Sequence, residues 1–189
     1  DLLPALALGV EPPNERVLSR PPLSGQLIDR HIIARVFGVL GPTQAIVEMA
    51  SFVAVLMVGG WRFGDTAAAG LLAAASGTAF ATVVLGQLAN AFAVRSSVLP
   101  VWRLDPRRNR LLIGAVGVEL LLLVFFLVVP PMPELLGGSW PTSLGWLLAA
   151  TVIPALFVTD AAAKRLLRPR LSHPTSPTPS RERRIHPHL

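Results

Sequence analysis

The sequence predicts an all-α protein, a polytopic transmembrane bundle of four full spans preceded by the second half of a further helix. Three observations lead to this fold class. Only 15% of the 189 residues are charged, against about 25% in a typical soluble domain. The apolar residues, 52% of the total, are gathered into four long blocks. The basic residues fall between alternate blocks, as the topology of a multi-pass protein requires.

Each block is long enough to cross a bilayer, which takes about 20 predominantly apolar residues in an α-helix. The predicted spans are Val36–Gly60, Thr66–Val94, Leu111–Pro133 and Ser143–Ala163. The charged residues inside them are Glu48, Glu119 and Asp160. Leu2–Val10 is apolar but reaches only about half-way across the hydrocarbon core. We therefore interpret residues 1–10 as the end of a truncated transmembrane helix.

The positions of lysine and arginine orient the bundle. The loops 11–35 and 95–110 and the tail 164–189 hold every Lys and Arg of the chain except Arg62. Because Lys and Arg collect on the cytoplasmic side of membrane proteins, we expect these three segments in the cytoplasm and residues 36–163 as a four-helix domain in the cell membrane. Anionic lipid headgroups are the expected counter-charge for the net charge of +6. Topology therefore explains the charge, and nucleic acid is not an expected partner.

The two ends of the chain differ in character. The tail 164–189 is rich in proline, serine, threonine and arginine, which predicts disorder because it cannot bury enough apolar surface. The sequence begins with Asp1, and no basic n-region precedes Leu2–Val10, so this segment does not have the form of a secretory signal. We expect the start to lie inside a longer protein. There are no cysteines, which excludes a disulfide, a zinc–thiolate site and a thiol nucleophile.

Polar side chains inside the spans are functional candidates because an ionisable group is costly in hydrocarbon. Gln44, Glu48 and Ser51 are spaced at i, i+4 and i+7 and share one helix face. They predict either an interhelical hydrogen-bond stripe or contact with an ion. Gln87 and Asn90, at i and i+3, leave the same alternatives open, since amide oxygens are hard cation ligands and also bond across helices.

Other residues of the spans predict structural features. Glu119 lies about one-third into its span and has no partner evident in the sequence. Asp160 precedes Lys164 by one helical turn, which predicts a local ion pair at the cytoplasmic edge. Pro42 and Pro154 are expected to kink their helices, because proline lacks the N–H that continues the helical ladder.

Asp1 and the nearby Pro4 suggest a cation site on chemical grounds. Pro4 leaves a helix carbonyl without its donor, and irregular backbone at membrane depth is tolerated where it faces protein or an aqueous site. A carboxylate beside freed carbonyls is a candidate cation site.

The chain begins with the string DLLPALALGVEPP at Asp1–Pro13, and Arg-Pro-Pro follows at Arg20–Pro22. This pattern resembles the end of the sixth membrane helix, and the acidic cytoplasmic loop after it, of P-type cation-transporting ATPases of the calcium-pump and sodium–potassium-pump kind. The string QLANAF at Gln87–Phe92 is similar to the eighth helix, where an acid or amide precedes Asn-Ala. The following sequence, to about residue 168, resembles the ninth and tenth helices by pattern.

This resemblance implies the C-terminal membrane domain of such an ATPase, from the end of helix six to helix ten, supplying scaffold helices and part of the ion-binding site. Asp1 matches the ion-binding carboxylate of the sixth helix. Gln87 matches the ion-ligand position of the eighth, which is Glu in some pumps. These two are the candidate ligands of the transported cation, and Gln44, Glu48 and Asn90 are a candidate intramembrane polar network.

The resemblance also implies limits. The Asp-Lys-Thr-Gly phosphorylation motif does not occur in the sequence, so we expect no catalytic residue here and no ATP hydrolysis by this chain alone. ATP and Mg²⁺ would bind the soluble headpiece. The expected partners are the remainder of the ATPase, with its N-terminal helices and cytoplasmic domains, and the lipid bilayer. The alternative is a stand-alone membrane accessory or structural protein without catalytic activity.

Overall fold

The computed structural model describes Leu6, Ala7 and Gly9 and the ranges 30–95, 101–103 and 109–166. Within these residues the chain is helical and contains no strand. Four helices are long and apolar enough to cross a membrane. They are span 1 (Ile33–Val58), span 2 (Ala69–Ala93), span 3 (Arg110–Val128) and span 4 (Ser143–Leu166). The predicted all-α bundle of four spans is therefore confirmed.

The spans are built from shorter elements. Their bounds are α1 Arg30–Arg35, π-helix Val36–Leu40, α2 Gly41–Val58, α3 Ala69–Ala93, 3₁₀ Val101–Arg103, α4 Arg110–Val128, α5 Met132–Leu135, α6 Ser143–Ala150 and α7 Val152–Leu166. Span 1 combines the end of α1, the π-helix and α2, whereas spans 2 and 3 are the single helices α3 and α4. Span 4 combines α6 and α7. The 3₁₀ turn lies between spans 2 and 3, and the short helix α5 precedes span 4.

Both intramembrane prolines accompany an irregularity in their helix. Pro42 follows the π-helix, whose last bond runs from the Gly41 N–H to the Val36 carbonyl. In span 4 the helix is interrupted at Thr151, three residues before Pro154. Proline cannot donate to the carbonyl one turn earlier, so the turn before it adopts another hydrogen-bond pattern.

Span 2 is the centre of the bundle. Each hydrophobic cluster among the described residues contains a buried alanine of this helix, namely Ala75, Ala81, Ala89 or Ala91. Spans 1 and 4 pack on it through Leu40, Val152 and Leu156, and span 3 packs through Leu123 and Leu127. Alanine and glycine permit this contact because their small side chains let helix backbones approach closely.

The two ends of the bundle are held differently. At one end, which we call the basic end, lie the start of span 1, the end of span 2 and the end of span 4, with Arg35 and Lys164. At the other end, the loop before span 4 lies on span 2, and the Ser139 N–H donates to the Ala73 carbonyl at 3.0 Å. A Cβ on Gly77 would overlap the Ser139 carbonyl oxygen. Only glycine therefore fits at this contact.

Large apolar side chains cover the outward faces of spans 1, 3 and 4. Ile46, Leu121 and Leu147 are 68%, 72% and 67% exposed. Isolated exposed apolar residues are ordinary in soluble proteins, but here they recur along spans 1, 3 and 4 with few charges between them. Such a surface suits a hydrocarbon environment, in which all backbone polar groups are paired inside helices.

Asn109 joins Ala7 to span 3. Its side-chain oxygen accepts from the Leu112 N–H at 3.0 Å and so caps the helix, while its amide donates to the Ala7 carbonyl at 2.9 Å. Ala7 packs with Ala91 and Ala115 in one cluster. Ala7, in the segment that the sequence presents as the end of an earlier helix, is thus in contact with spans 2 and 3.

We expect Gly77→Ala to destabilise the protein by about 1–3 kcal/mol, because the added methyl forces the loop before span 4 away from span 2. Gly70→Ala in the same helix is the matched control, since a Cβ there meets no atom within 4 Å. Thermal unfolding of the purified protein in detergent measures both variants. Equal stability of Gly77→Ala and Gly70→Ala would contradict the close contact.

Candidate functional site

A cavity of about 280 Å³ lies between spans 2 and 3. Two polar side chains line it, Gln87 from span 2 and Glu119 from span 3. Glu119 is 9% exposed. The rest of the wall is apolar and consists of Phe80, Val83, Val84, Leu122, Leu123 and Phe126. An amide and a carboxylate thus face one apolar cavity, and both offer oxygen atoms suited to hard cations.

Gln44 and Asn90 form a second polar contact, between spans 1 and 2. The Asn90 Nδ2 donates to Gln44 Oε1 at 2.9 Å, and the Gln44 Nε2 donates to the Val83 carbonyl at 3.4 Å. Gly86 makes room for this amide, since a Cβ there would lie 2.9 Å from the Gln44 side chain. The interhelical hydrogen bond and the close backbone approach therefore occur at the same place.

The other members of the predicted polar face behave differently. The Ser51 hydroxyl is buried and donates to the Val47 carbonyl of its own helix at 2.7 Å. Glu48 is half-buried on span 1 and has no hydrogen bond to any residue that the structure describes. The Asn90 Oδ1 is buried and accepts no hydrogen bond within the described ranges. Of the candidate network, Gln44 and Asn90 are brought together, and Glu48 is not joined to them.

The sequence named Asp1 and Gln87 as the cation ligands. Gln87 lies on the cavity described above. Asp1 lies outside the described residues, so its position relative to the cavity is not defined. No group of three or more His, Cys, Asp or Glu side chains in the described ranges is arranged as a metal site.

A cluster of charged side chains lies at the basic end, and we call Arg35, Asp160 and Lys164 the ionic cluster. Arg35 Nε donates to Asp160 Oδ1 at 2.8 Å, and its Nη2 contacts the same oxygen. Lys164 Nζ lies 2.6 Å from Asp160 Oδ2. Both cations also donate to the carbonyl of Ala93, Arg35 at 3.2 Å and Lys164 at 2.9 Å. Side chains from spans 1 and 4 therefore meet at the C-terminus of span 2.

Burial makes the ionic cluster energetically important. The side chains of Asp160 and Lys164 are 1% and 2% exposed, and that of Arg35 is 12% exposed. Charges withdrawn from water are tolerated only when they are paired and hydrogen-bonded. The Ala93 carbonyl belongs to the last turn of its helix, where carbonyls lack intrahelical donors and the helix dipole favours cations.

The sequence anticipated only part of this cluster. The predicted pair of Asp160 with Lys164 is present. Arg35 was counted among the loop charges, but the structure places it in a helix with its side chain mostly buried against Asp160. These two residues are 125 positions apart, and no local spacing rule connects them. Glu119 and Gln87 were each visible in the sequence as polar residues inside a span, but the sequence did not predict that they line the same cavity.

Taken together, these features define a membrane-embedded helical domain with polar groups inside its bundle. The chain belongs to the family described as "Cation transporting ATPase, C-terminus", whose model matches residues 1–166. It is also similar to a calcium-transporting ATPase of Bacillus subtilis (strain 168), with 30% identity over 172 residues. That match covers 87% of this chain and 18% of the relative, so the chain spans about a fifth of the length of that protein.

We expect Asp160→Asn to be more destabilising than Lys164→Met. The first leaves two buried cations without their counter-ion, a loss of about 3–5 kcal/mol. The second keeps the Arg35–Asp160 pair and removes hydrogen bonds of one charged group, a loss of about 1.5–3 kcal/mol. Unfolding by SDS titration in mixed micelles measures both. Asp65→Asn, at an exposed loop acid, is the control. The reverse order of stability would contradict the charge balance of the ionic cluster.

Proposed function

We propose that this chain is the C-terminal membrane domain of a P-type cation-transporting ATPase, and that it supplies scaffold helices and part of the ion-binding site for ATP-driven cation transport. One observation carries the ion-site part of the proposal. Gln87, which the resemblance marks as an ion ligand, lines a cavity together with the carboxylate of Glu119. Polar groups at membrane depth that face a cavity typically mark an ion pathway.

The chemistry of these groups supports a cation as the transported species. The Gln87 amide oxygen and the Asp1 carboxylate are the proposed ligands, and Glu119 adds a carboxylate on the opposite wall of the cavity. Carboxylate and amide oxygens suit hard cations. The apolar remainder of the wall keeps the dielectric constant low, which strengthens the attraction between a cation and a carboxylate.

The rest of the transport cycle is assigned to other parts of the ATPase. ATP and Mg²⁺ are proposed to bind the soluble headpiece, and phosphorylation there is proposed to shift the helices that surround the ion. Within this chain the proposed role of spans 1, 3 and 4 is to support span 2, on which Gln87 lies. The partners are then the preceding helices, the cytoplasmic domains and a bilayer with anionic headgroups.

The basic end is proposed to face the cytoplasm. This places loops 11–35 and 95–110 and the tail 164–189 on one side, in keeping with the positive-inside rule. The remaining connections, 59–68 and 129–142, then face the opposite side.

Cysteine labelling tests this orientation, since the chain has no cysteine of its own. In right-side-out vesicles, a membrane-impermeant maleimide should label Phe63→Cys, at a side chain that is 96% exposed, and should spare Arg103→Cys until the membrane is permeabilised. The parent protein reports background labelling. Labelling of Arg103→Cys in sealed vesicles would contradict the orientation.

The ion site is tested in the full-length ATPase with a panel of Ca²⁺, Mg²⁺, Mn²⁺, Na⁺, K⁺ and H⁺. We expect Gln87→Ala and Asp1→Asn each to raise the cation concentration for half-maximal phosphorylation about tenfold, a loss of about 1.4 kcal/mol of binding. Glu134→Gln, at an exposed acid that does not line the cavity between spans 2 and 3, should leave the half-maximal cation concentration unchanged. Unaltered cation dependence in both ligand variants would remove the site assignment.

A further inference from the structure

We propose that the ionic cluster positions the ion ligand, so that Arg35, Asp160 and Lys164 are positioning residues for Gln87. The proposal rests on the function proposed for Gln87 and extends it to a second site at the basic end. Its basis is that two cations from different spans converge on the backbone of the helix that carries Gln87.

The convergence is on one carbonyl group. Arg35 of span 1 and Lys164 of span 4 both donate to the Ala93 oxygen, and Asp160 holds both cations in place. Ala93 is the last residue of span 2. A backbone carbonyl cannot reorient independently of its helix, so these bonds fix the height and the rotation of span 2 relative to spans 1 and 4.

Span 2 is held at two other levels. In its middle, Gly86 lies against the Gln44 side chain, and Asn90 bonds to the same side chain at 2.9 Å. At the opposite end, the Ala73 carbonyl accepts from the Ser139 N–H at 3.0 Å. Gln87 lies at the level of the middle contact, between Gly86 and Asn90 in the sequence, and is about 9 Å along the axis from Ala93 at 1.5 Å per residue.

The opposite wall of the cavity is positioned by other contacts. Glu119 is on span 3, whose first turn is capped by Asn109 and whose side chains contribute no member to the ionic cluster. The separation of Gln87 from Glu119 therefore depends on where span 2 stands relative to span 3. A small shift of span 2 changes that separation without unfolding either helix.

The buried charges make the position of span 2 specific. A slide of span 2 along its axis would take the Ala93 carbonyl away from both cations, and Asp160 would be left to balance two charges at 1% exposure. Buried polar groups with few alternative partners favour a single arrangement. A ligand site needs its groups within about 0.5 Å of the productive geometry, so loss of this restraint weakens ion binding before it abolishes folding.

The test is a double-mutant cycle in the full-length ATPase in membrane vesicles. The probe is Ca²⁺, or the cation of the panel above that stimulates best if Ca²⁺ does not. The variants are Asp160→Asn, Gln87→Ala and their combination, with activity normalised to the amount of folded protein. Asp160→Asn should raise the half-maximal cation concentration about three- to tenfold, and should add little in the Gln87→Ala background because coupled residues are non-additive. Activity at saturating cation should change less than about twofold.

Three further variants separate positioning from simple destabilisation. Asp160→Glu keeps the charge and should restore part of the cation affinity. Lys164→Met removes one of the two donors to the Ala93 carbonyl and is expected to fold. It should raise the half-maximal cation concentration about twofold. This variant replaces Asp160→Asn in the test if Asp160→Asn cannot be purified in folded form. Asp65→Asn, at the exposed loop acid, should behave as the parent.

Each outcome decides between the proposals. A shift with Gln87→Ala but none with Asp160→Asn or Lys164→Met overturns the positioning role and leaves the ion ligand standing. Shifts that add fully in the combined variant, or a loss of folded protein with unchanged half-maximal concentration, also overturn it. An unchanged half-maximal concentration in Gln87→Ala itself removes the ligand assignment, and the positioning role falls with it.

Discussion

Close approach of span 2 to its neighbours is the constraint on which the rest of this structure depends. In a bilayer, helices gain little by exchanging lipid contacts for apolar side chains, so they associate through van der Waals packing and hydrogen bonds. Ala75, Ala81 and Ala89 let the other spans reach the backbone of span 2. Gly86 does the same for the amide of Gln44. A large side chain at any of these positions would separate the helices and their polar contacts.

The polar groups of the bundle fall into two sets with different environments. The ionic cluster is compact, and each of its charges is held by a partner from another helix or another turn. The groups in the interior are less completely bonded, since the Asn90 Oδ1 accepts no hydrogen bond from the described residues and Gln87 faces a cavity. A satisfied set stabilises one arrangement, whereas a set with unused oxygen atoms retains capacity for a ligand. This contrast underlies the different roles we propose for them.

Hydropathy located the spans well, and their ends less well. The third predicted span continued to Pro133, but the helix ends at Val128, because Pro130 and Pro131 cannot continue its hydrogen-bond ladder. The first span was predicted from Val36 and in fact includes Arg35. An arginine at a span boundary is ambiguous by composition, and its long side chain can turn either to the interface or to a buried acid.

The sequence by itself determined that the long helices of this protein lie in hydrocarbon, and it identified the polar residues that are candidates for function. Long blocks without charge allow only helices in hydrocarbon, and a few polar residues inside them are conspicuous because they are costly there. Tertiary structure alone decided which of these residues meet. Arg35 is hydrogen-bonded to Asp160, Asn90 is hydrogen-bonded to Gln44, and Gln87 lines the same cavity as Glu119. Such contacts depend on the rotation and height of each helix, which are set by side-chain packing between segments far apart in the chain.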